Sequence, residues 1–432
     1  MSRTSVAGWG STFEPELGLN KMHILFLTDN FPPEVNAPAS RTFEHCREWV
    51  KYGHNVTVIT CAPNFPKGKL FDGYRNKFWQ SEDMSGIKVI RVWSYISSND
   101  GFLKRILDYL SYMVTATLAS FFVRKVDIIV GTSPQFFTAC AAWGASLFKR
   151  RPWVFELRDI WPESIRAVGA MDGSRSFDAL EKLELFLYRQ ATMIVSVTHS
   201  FKRNLVGRGV EPGKIHVVTN GADLEQFHPS EKDPELEAHL GLKGRFTAGY
   251  IGTHGMAHGL ETLLEAARLL QDEGRRDIRL LLLGDGASKV ELLKRAQAME
   301  LDNVVFVDTV AKSLVRRYWS LLDASIIHLR ATPLFESVIP SKLFECMAMG
   351  VPVLHGVRGE SAEIVEAYDV GLTFEPGNSE QLRDRLVMLA DNQTMAKRLG
   401  ANGVAAAGQF SRSALAAEML NRLTDVVGVK RH

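Results

Sequence analysis

The sequence predicts an α/β protein made of two doubly wound domains, and three observations lead there. Short, uninterrupted apolar runs recur along the chain, helical patterns separate them, and the series begins afresh near Phe246. Runs of four or five apolar residues without polar alternation fit strands buried on both faces of a parallel sheet. A length of 432 residues agrees, being too great for one ordinary core.

In the first series the expected strands are residues 24–27, 56–59, 89–92, 128–130, 153–155 and 193–197. Between the first two, Phe43, Cys46, Trp49 and Val50 recur at helical spacing over residues 39–52, and Gly53 supplies the stop. This is a βαβ unit, and it repeats. The second series holds strands at 248–251, 280–283, 304–307, 324–329 and 352–355, with helices at 260–271, 288–299 and 341–349. Turn-rich Thr219-Asn-Gly-Ala-Asp-Leu-Glu-Gln-Phe-His-Pro229 reads as the connection. The expected division is a first domain at 22–220, a second at 221–409, and a C-terminal helix at 410–432 packing back on the first. Residues 1–21 carry no continuous apolar core of a signal peptide and are expected to stay poorly ordered.

Composition narrows the function classes. Hydrophobic residues at 46% and charged residues at 23% exclude disorder, and a net charge of +2 gives no basis for nucleic-acid binding. Cys46, Cys61, Cys140 and Cys346 have neither zinc-ligand nor disulfide-framework spacing, as in a reduced cytoplasmic protein. Ligands of open α/β sheets bind beyond the carboxyl ends of the strands, so two facing sheets imply one large cleft between the domains.

Two segments carry chemistry. Tyr250-Ile-Gly-Thr-His-Gly-Met-Ala-His-Gly259 is a strand, a glycine-rich turn and a helix start. Missing side chains at Gly252, Gly255 and Gly259 would let amides approach a diphosphate at a positive helix end. The spacing is not the dinucleotide fingerprint, and Leu283-Gly-Asp-Gly-Ala-Ser-Lys289 lacks its third glycine, so neither supports a dehydrogenase. The second segment runs from Glu336-Ser-Val-Ile-Pro-Ser-Lys-Leu-Phe-Glu345 to Gly350-Val-Pro-Val353. Ser341 opens a helix there. Glu345, about one turn in, suits the paired hydroxyls of a ribose, and Lys342 at the positive helix end suits phosphate.

From Glu345 to Pro352 this segment resembles the donor-site motif of family-4 retaining glycosyltransferases of the GT-B fold. Gly252–Gly259 falls where that family has its phosphate loop, Gly284 and Gly286 where it has a glycine turn. Phe31-Pro-Pro-Glu34, Gly53-His-Asn-Val-Thr-Val-Ile-Thr60 and Arg158-Asp-Ile-Trp-Pro162 match upstream, so the resemblance spans Met22 to the C-terminal helix. Pro33-Glu-Val-Asn-Ala-Pro-Ala-Ser-Arg41, Arg158-Asp-Ile-Trp-Pro-Glu-Ser164 and Pro340-Ser-Lys-Leu-Phe-Glu345 look closest to O-antigen and capsule enzymes of the N-acetyl-L-fucosaminyltransferase type.

The resemblance implies a retaining, hexosyltransferase-type enzyme. It would move an N-acetylated deoxyhexosamine from a UDP-sugar to a polyprenyl-diphosphate-linked acceptor, at the inner face of the cytoplasmic membrane. It implies a donor site of Gly252, Thr253, His254, Gly255, His258, Gly284, Gly286, Glu336, Ser341, Lys342 and Glu345. Asp159 and Arg158 are the catalytic candidates; Glu34, Asn36, Ala37 and Arg41 belong to the acceptor-side loop. No cofactor is expected, since the UDP-sugar is a substrate, and no Asp-x-Asp metal motif stands in a donor loop. Departures are plain: the first of two family glutamates falls on Ser337 with Glu336 one place off, the loop Arg and Lys are Thr253 and His258, the catalytic-loop His is Arg158, and the glycine pair is Asn36-Ala37. Phosphate charge then falls to Lys342 and backbone amides, with His254 as a further candidate.

On the acceptor side, residues 102–125 combine Phe102, Ile106, Leu110, Met113, Phe121 and Phe122 with Lys104, Arg105, Arg124 and Lys125. Such a helix can lie in the headgroup region or pack in the first domain's core, and Lys149-Arg150-Arg151 with Trp153 extends the same pattern. Two other readings share the fold: an epimerase of UDP-N-acetylhexosamines, and an inactive membrane-docked scaffold of a polysaccharide assembly complex.

Overall fold

The computed structural model describes residues 21–65, 68–96, 102–160 and 175–429. Residues 1–20, and Trp161 to Ser164 of the motif after Asp159, lie outside the described residues. By internal contact the chain divides into two units that meet in sequence at Asn220 and Gly221, with the segment from Arg412 onward belonging to the first.

The first unit holds strands β1 (His23–Leu27), β2 (Asn55–Cys61), β3 (Gln80–Met84), β4 (Ile87–Val92), β5 (Ile128–Thr132), β6 (Trp153–Leu157), β7 (Met193–Ser196) and β8 (Ile215–Val217). Its helices are α1 (Ala37–Lys51), α2 (Phe102–Phe122), α3 (Phe136–Lys149), α4 (Arg175–Gln190) and α5 (His199–Gly207). The strand order is β3-β4-β2-β1-β5-β6-β7-β8, parallel except for the β3–β4 pair. β3 escapes a sequence search because Gln-Ser-Glu-Asp-Met has no apolar run; it is an edge strand paired on one side only.

Successive residues of β1 enter opposite cores, as a strand's period of two requires. Leu25 and Leu27 pack with Tyr112, Ala116 and Phe155 under α2 and α3, while Ile24 and Phe26 pack with Trp49 of α1 and with Leu415, Met419 and Leu423. The last three belong to the C-terminal helix, Arg412–Val429, which Trp49 Nε1 also grips by donating 2.8 Å to Ala416 O. Trp153 is a core residue of β6, 2% exposed, so it contributes nothing to an outer face.

One guanidinium fastens this unit together. Arg41, 1% exposed on α1, donates from Nε to Glu156 of β6 (2.9 Å), from Nη2 to Val218 O (2.9 Å) and from Nη1 to Thr219 O (2.5 Å). The buried pair Arg412–Glu44 ties the C-terminal helix to α1 beside it. The resemblance assigns Arg41 to the acceptor-side loop; in the structure its guanidinium donates to Glu156, Val218 O, Thr219 O and Asn220 Oδ1 of this same unit.

The second unit holds α6 (Pro234–His239), β9 (Phe246–Ile251), α7 (Glu261–Asp272), β10 (Ile278–Leu283), α8 (Lys289–Ala298), β11 (Val304–Val307), α9 (Lys312–Trp319), β12 (Ala324–His328), α10 (Pro333–Glu336), α11 (Lys342–Met349), β13 (Val353–Gly356), α12 (Glu360–Ala367), β14 (Gly371–Thr373), α13 (Ser379–Asp391) and α14 (Gln393–Ala407). Its six strands run β11-β10-β9-β12-β13-β14, all parallel. The order reverses between β9 and β12, and in the first unit between β1 and β5. These are the switch points where loops part and a crevice opens. Removing the fork in Arg41→Met would leave Glu156, 1% exposed, without its hydrogen-bonded cation. The expected cost is about 3–5 kcal/mol, measured by urea unfolding against the parent.

Candidate donor and acceptor sites

The donor candidates gather at the β9–β12 switch point. The loop after β9 docks on the loop after β10 backbone to backbone: Gly252 N donates to Leu283 O, His254 N to Asp285 O and Ser288 N to His254 O, at 2.8–2.9 Å. A Cβ on Gly284 would lie 1.9 Å from Gly252 O, and one on Gly286 2.6 Å from His254 O. Gly284 and Gly286 therefore let the two loops fit together. The same bonds correct the expectation for the phosphate loop, because the amides of Gly252 and His254 are already spent. Those of Thr253 and Gly255 carry no hydrogen bond among the described residues.

Lys342 stands at the first position of α11, where Ser341 caps the helix without a side-chain hydrogen bond. Its ammonium lies 3.7 Å from the centroid of the Tyr250 ring and fills the space that a Cβ on Gly252 would enter, 2.7 Å away. The nitrogen is buried and has no hydrogen-bond partner among the described residues. Burial pushes Lys342 down to about 8, against the pull of the neighbouring Glu345. The Tyr250 ring face attracts the cation, and Tyr250 is itself fixed by donating to Thr253 O (2.8 Å). The sequence shows Tyr250 only as the strand residue before the turn; its burial beneath Lys342 is visible only in three dimensions. Glu345 follows three residues later on the same short helix, half-buried.

The histidines of the loop carry no positive charge. Burial, with Lys289 and Lys342 nearby, pushes the fully buried His254 down to about 4; burial and Lys342 do the same to His258. His254 is therefore neutral in the free protein at neutral pH. His328, at the end of β12, is locked as one tautomer: Gly377 N donates to its Nε2 at 2.9 Å, so Nδ1 donates to His258 O at 2.7 Å. Lys289 is occupied with Gly284 O, Val307 O and Asp308 and braces the β10 loop. Glu336 ends the four-residue α10, exposed, its carbonyl against Gly359.

In the first unit the candidates lie at the carboxyl ends of β1, β2, β5 and β6. The Ser133 hydroxyl after β5 accepts from both Arg158 N (2.7 Å) and Asp159 N (3.1 Å), which sets the turn after β6. Arg158 Nη1 donates to Pro38 O (3.1 Å), bringing Arg158 to the start of α1 beside Asn36 and Ala37. Asn36 caps α1 by accepting from Ala39 N (2.8 Å), and Ala37 is exposed. Burial lowers Arg158 most, with Arg41 and Arg412 adding repulsion while Glu156 holds its proton on. Glu34, 3% exposed, accepts from Asn64 N and Phe65 N through Oε1 and leaves Oε2 buried without a partner. Burial, with Asp29 and its buried unpartnered Oδ1 adding to it, pushes Glu34 up to about 7 against the two amides. Asp29 was not among the sequence candidates; its only signal is its place directly after the first strand.

Comparison with known proteins places these two halves. Residues 36–221 match the glycosyl transferase 4-like domain and residues 232–405 match the glycosyl transferases group 1. A protein of Escherichia coli strain K12 described as a colanic acid biosynthesis glycosyl transferase, WcaI, is 24% identical over 374 residues, covering 84% of this chain and 90% of that protein. CapM of Staphylococcus aureus, a capsular polysaccharide biosynthesis glycosyltransferase, is 21% identical over 232 residues, 52% of this chain and 58% of its own. Among solved structures, HepE (Alr3699) of Anabaena in complex with UDP and glucose superimposes with a TM-score of 0.71 at 17% identity, over 93% of this chain and 99% of that one. That likeness shows the fold, and it is the GT-B arrangement of two parallel-sheet domains expected from the sequence. The chain belongs to the group 1 glycosyltransferases, with a glycosyl transferase 4-like first domain.

Proposed function

We propose that this glycosyltransferase acts in bacterial surface polysaccharide synthesis, taking a sugar, an N-acetylated deoxyhexosamine, from a UDP donor. The acceptor is a polyprenyl-diphosphate-linked glycan, which places the enzyme peripherally at the inner face of the cytoplasmic membrane. The similarity to WcaI and CapM supports the polysaccharide context, and HepE, of like fold, was solved with UDP. One observation carries the donor reading: a buried ammonium without a partner, Lys342, at the β9–β12 switch point. A lone buried cation is costly, and a diphosphate is the ligand that would relieve it.

The proposed reaction retains anomeric configuration and needs no metal. As the anomeric C–O bond breaks, charge develops on the departing UDP, where Lys342 and the Thr253 and Gly255 amides stabilise it electrostatically. Glu345 accepts from the ribose hydroxyls. The acceptor hydroxyl attacks from the leaving-group face and passes its proton to the departing phosphate oxygen, with Asp159 orienting it and Arg158 beside it on the turn that Ser133 fixes.

A thermal-shift panel of UDP, GDP and ADP tests the donor site, since a ligand of the folded state raises its stability by mass action. UDP is expected to raise the melting temperature, and Glu345→Ala to abolish that rise; a rise equal for all three nucleotides would remove the uridine assignment.

Lys342→Met gives a result of opposite signs. The free protein is expected to gain about 1–3 kcal/mol by losing a desolvated charge, while the response to UDP disappears. A variant that loses stability and keeps its UDP shift would take Lys342 out of the site.

The pH dependence follows from the same group. Lys342 loses its proton near about 8 in the free protein, and a bound diphosphate raises that value, so binding takes up a proton. The affinity for UDP should therefore fall as pH rises above about 8, by up to about tenfold per unit. Calorimetric titration at neutral and alkaline pH checks this, and affinity unchanged across that range would contradict it.

A further inference from the structure

Helix α2 has two apolar faces. Tyr112, Ala116, Ala119 and Val123 point into the core of the first unit, as a helix crossing a sheet requires. Leu107, Val114, Leu118, Phe121 and Phe122 form a second stripe that the unit does not cover, Phe122 being 74% exposed. The core packing that the sequence left open is realised by one face of this helix, while the other face stays exposed.

The outer stripe is continuous with its neighbours. The Phe121 ring lies 4.1 Å from that of Phe148 at the end of α3, itself 62% exposed, and Phe122 meets Trp79 edge-on at 6.0 Å ahead of β3. Phe78, 75% exposed, stacks on Trp93 at 5.7 Å. Lys149 Nζ donates to Val123 O (2.6 Å) and fastens the ends of α2 and α3 side by side. An aromatic row of this extent marks an interaction surface rather than scattered exposed residues.

Its margin is cationic. Arg124 and Lys125 follow Phe122, Arg150 and Arg151 follow Lys149, and Lys77 precedes Phe78; all five are exposed. Lys125 and Arg150 have φ of 57° and 54°, so each turn holds a cation in the left-handed region where glycine would sit without strain.

We propose that this face, built from the outer side of α2, the end of α3 and the segment before β3, docks on an anionic lipid bilayer. Its aromatic rings enter the headgroup boundary and its cations meet lipid phosphates. The inference deepens the membrane placement proposed above and rests on that reading. Among the described residues no helix is long and apolar enough to cross a membrane, so the face lies on the bilayer. A second copy of the chain is the weaker occupant, because a two-fold contact would bring the same cationic margin against itself.

The test is co-sedimentation of the full chain with vesicles of phosphatidylcholine alone or containing about 30 mol% phosphatidylglycerol. The parent should pellet with the anionic vesicles and be released by salt. Phe122→Ser with Phe148→Ser, and separately Arg124→Glu with Arg150→Glu and Arg151→Glu, should each weaken binding at least about tenfold, with melting temperature and UDP shift unchanged. Parent protein that ignores anionic vesicles, or variants that bind as the parent does, overturns the proposal. So does a dimer seen by light scattering that dissociates in the Phe122→Ser variant. The UDP shift is read on the same samples, so failure of the donor site and failure of the docking face are told apart.

Discussion

A lysine ammonium held out of water, with no hydrogen-bond partner among the described residues, is the constraint around which the second unit is arranged. It lies over the Tyr250 ring in the space left by the missing side chain of Gly252. That space exists because Gly284 and Gly286 let two loops close backbone to backbone. Each glycine thus answers to a distance, and the distances converge on one charge. The ring face and nearby Glu345 reduce the cost of burying the cation but do not cancel it, as the lowered affinity of Lys342 for its proton shows.

The first unit separates two kinds of buried charge by the same logic. Arg41 with Glu156 and Arg412 with Glu44 are paired, and their geometry spans α1, β6 and the C-terminal helix; they hold the unit together. Glu34 and Asp29 keep unpartnered oxygens at the carboxyl ends of the strands, where ligands of such sheets bind. Residues near one another in sequence fall on opposite sides of this division: Glu34 and Arg41 belong to one motif, yet one leaves an oxygen unanswered and the other spends its guanidinium in the core. Protonation divides the residues too. His254 was a further candidate for phosphate charge and His258 stands where the resembling family has lysine, and the burial that makes the loop tight pushes the pKa of both down to about 4.

The alternation of short apolar runs and helices, the break at Asn220 and Gly221, and the placing of glycine turns after β9 and β10 could be read from the residues, because local periodicity and backbone freedom determine them. The apolar strands were readable for the same reason; β3 and the three-residue β8 and β14 were not, being too polar or too short to leave a pattern. The sequence by itself also determined that Lys342 and Glu345 share the first turn of a helix, since four residues make a turn wherever the helix lies. Only the tertiary structure decided that Lys342 is buried against Gly252 while Lys289 is spent on a neighbouring loop, that Arg41 is structural, and that α2 is apolar toward both core and solvent. Those distinctions turn on which charges find partners and which apolar faces find cover. Partners and cover come from strands and helices far away in the chain, so no local pattern records them.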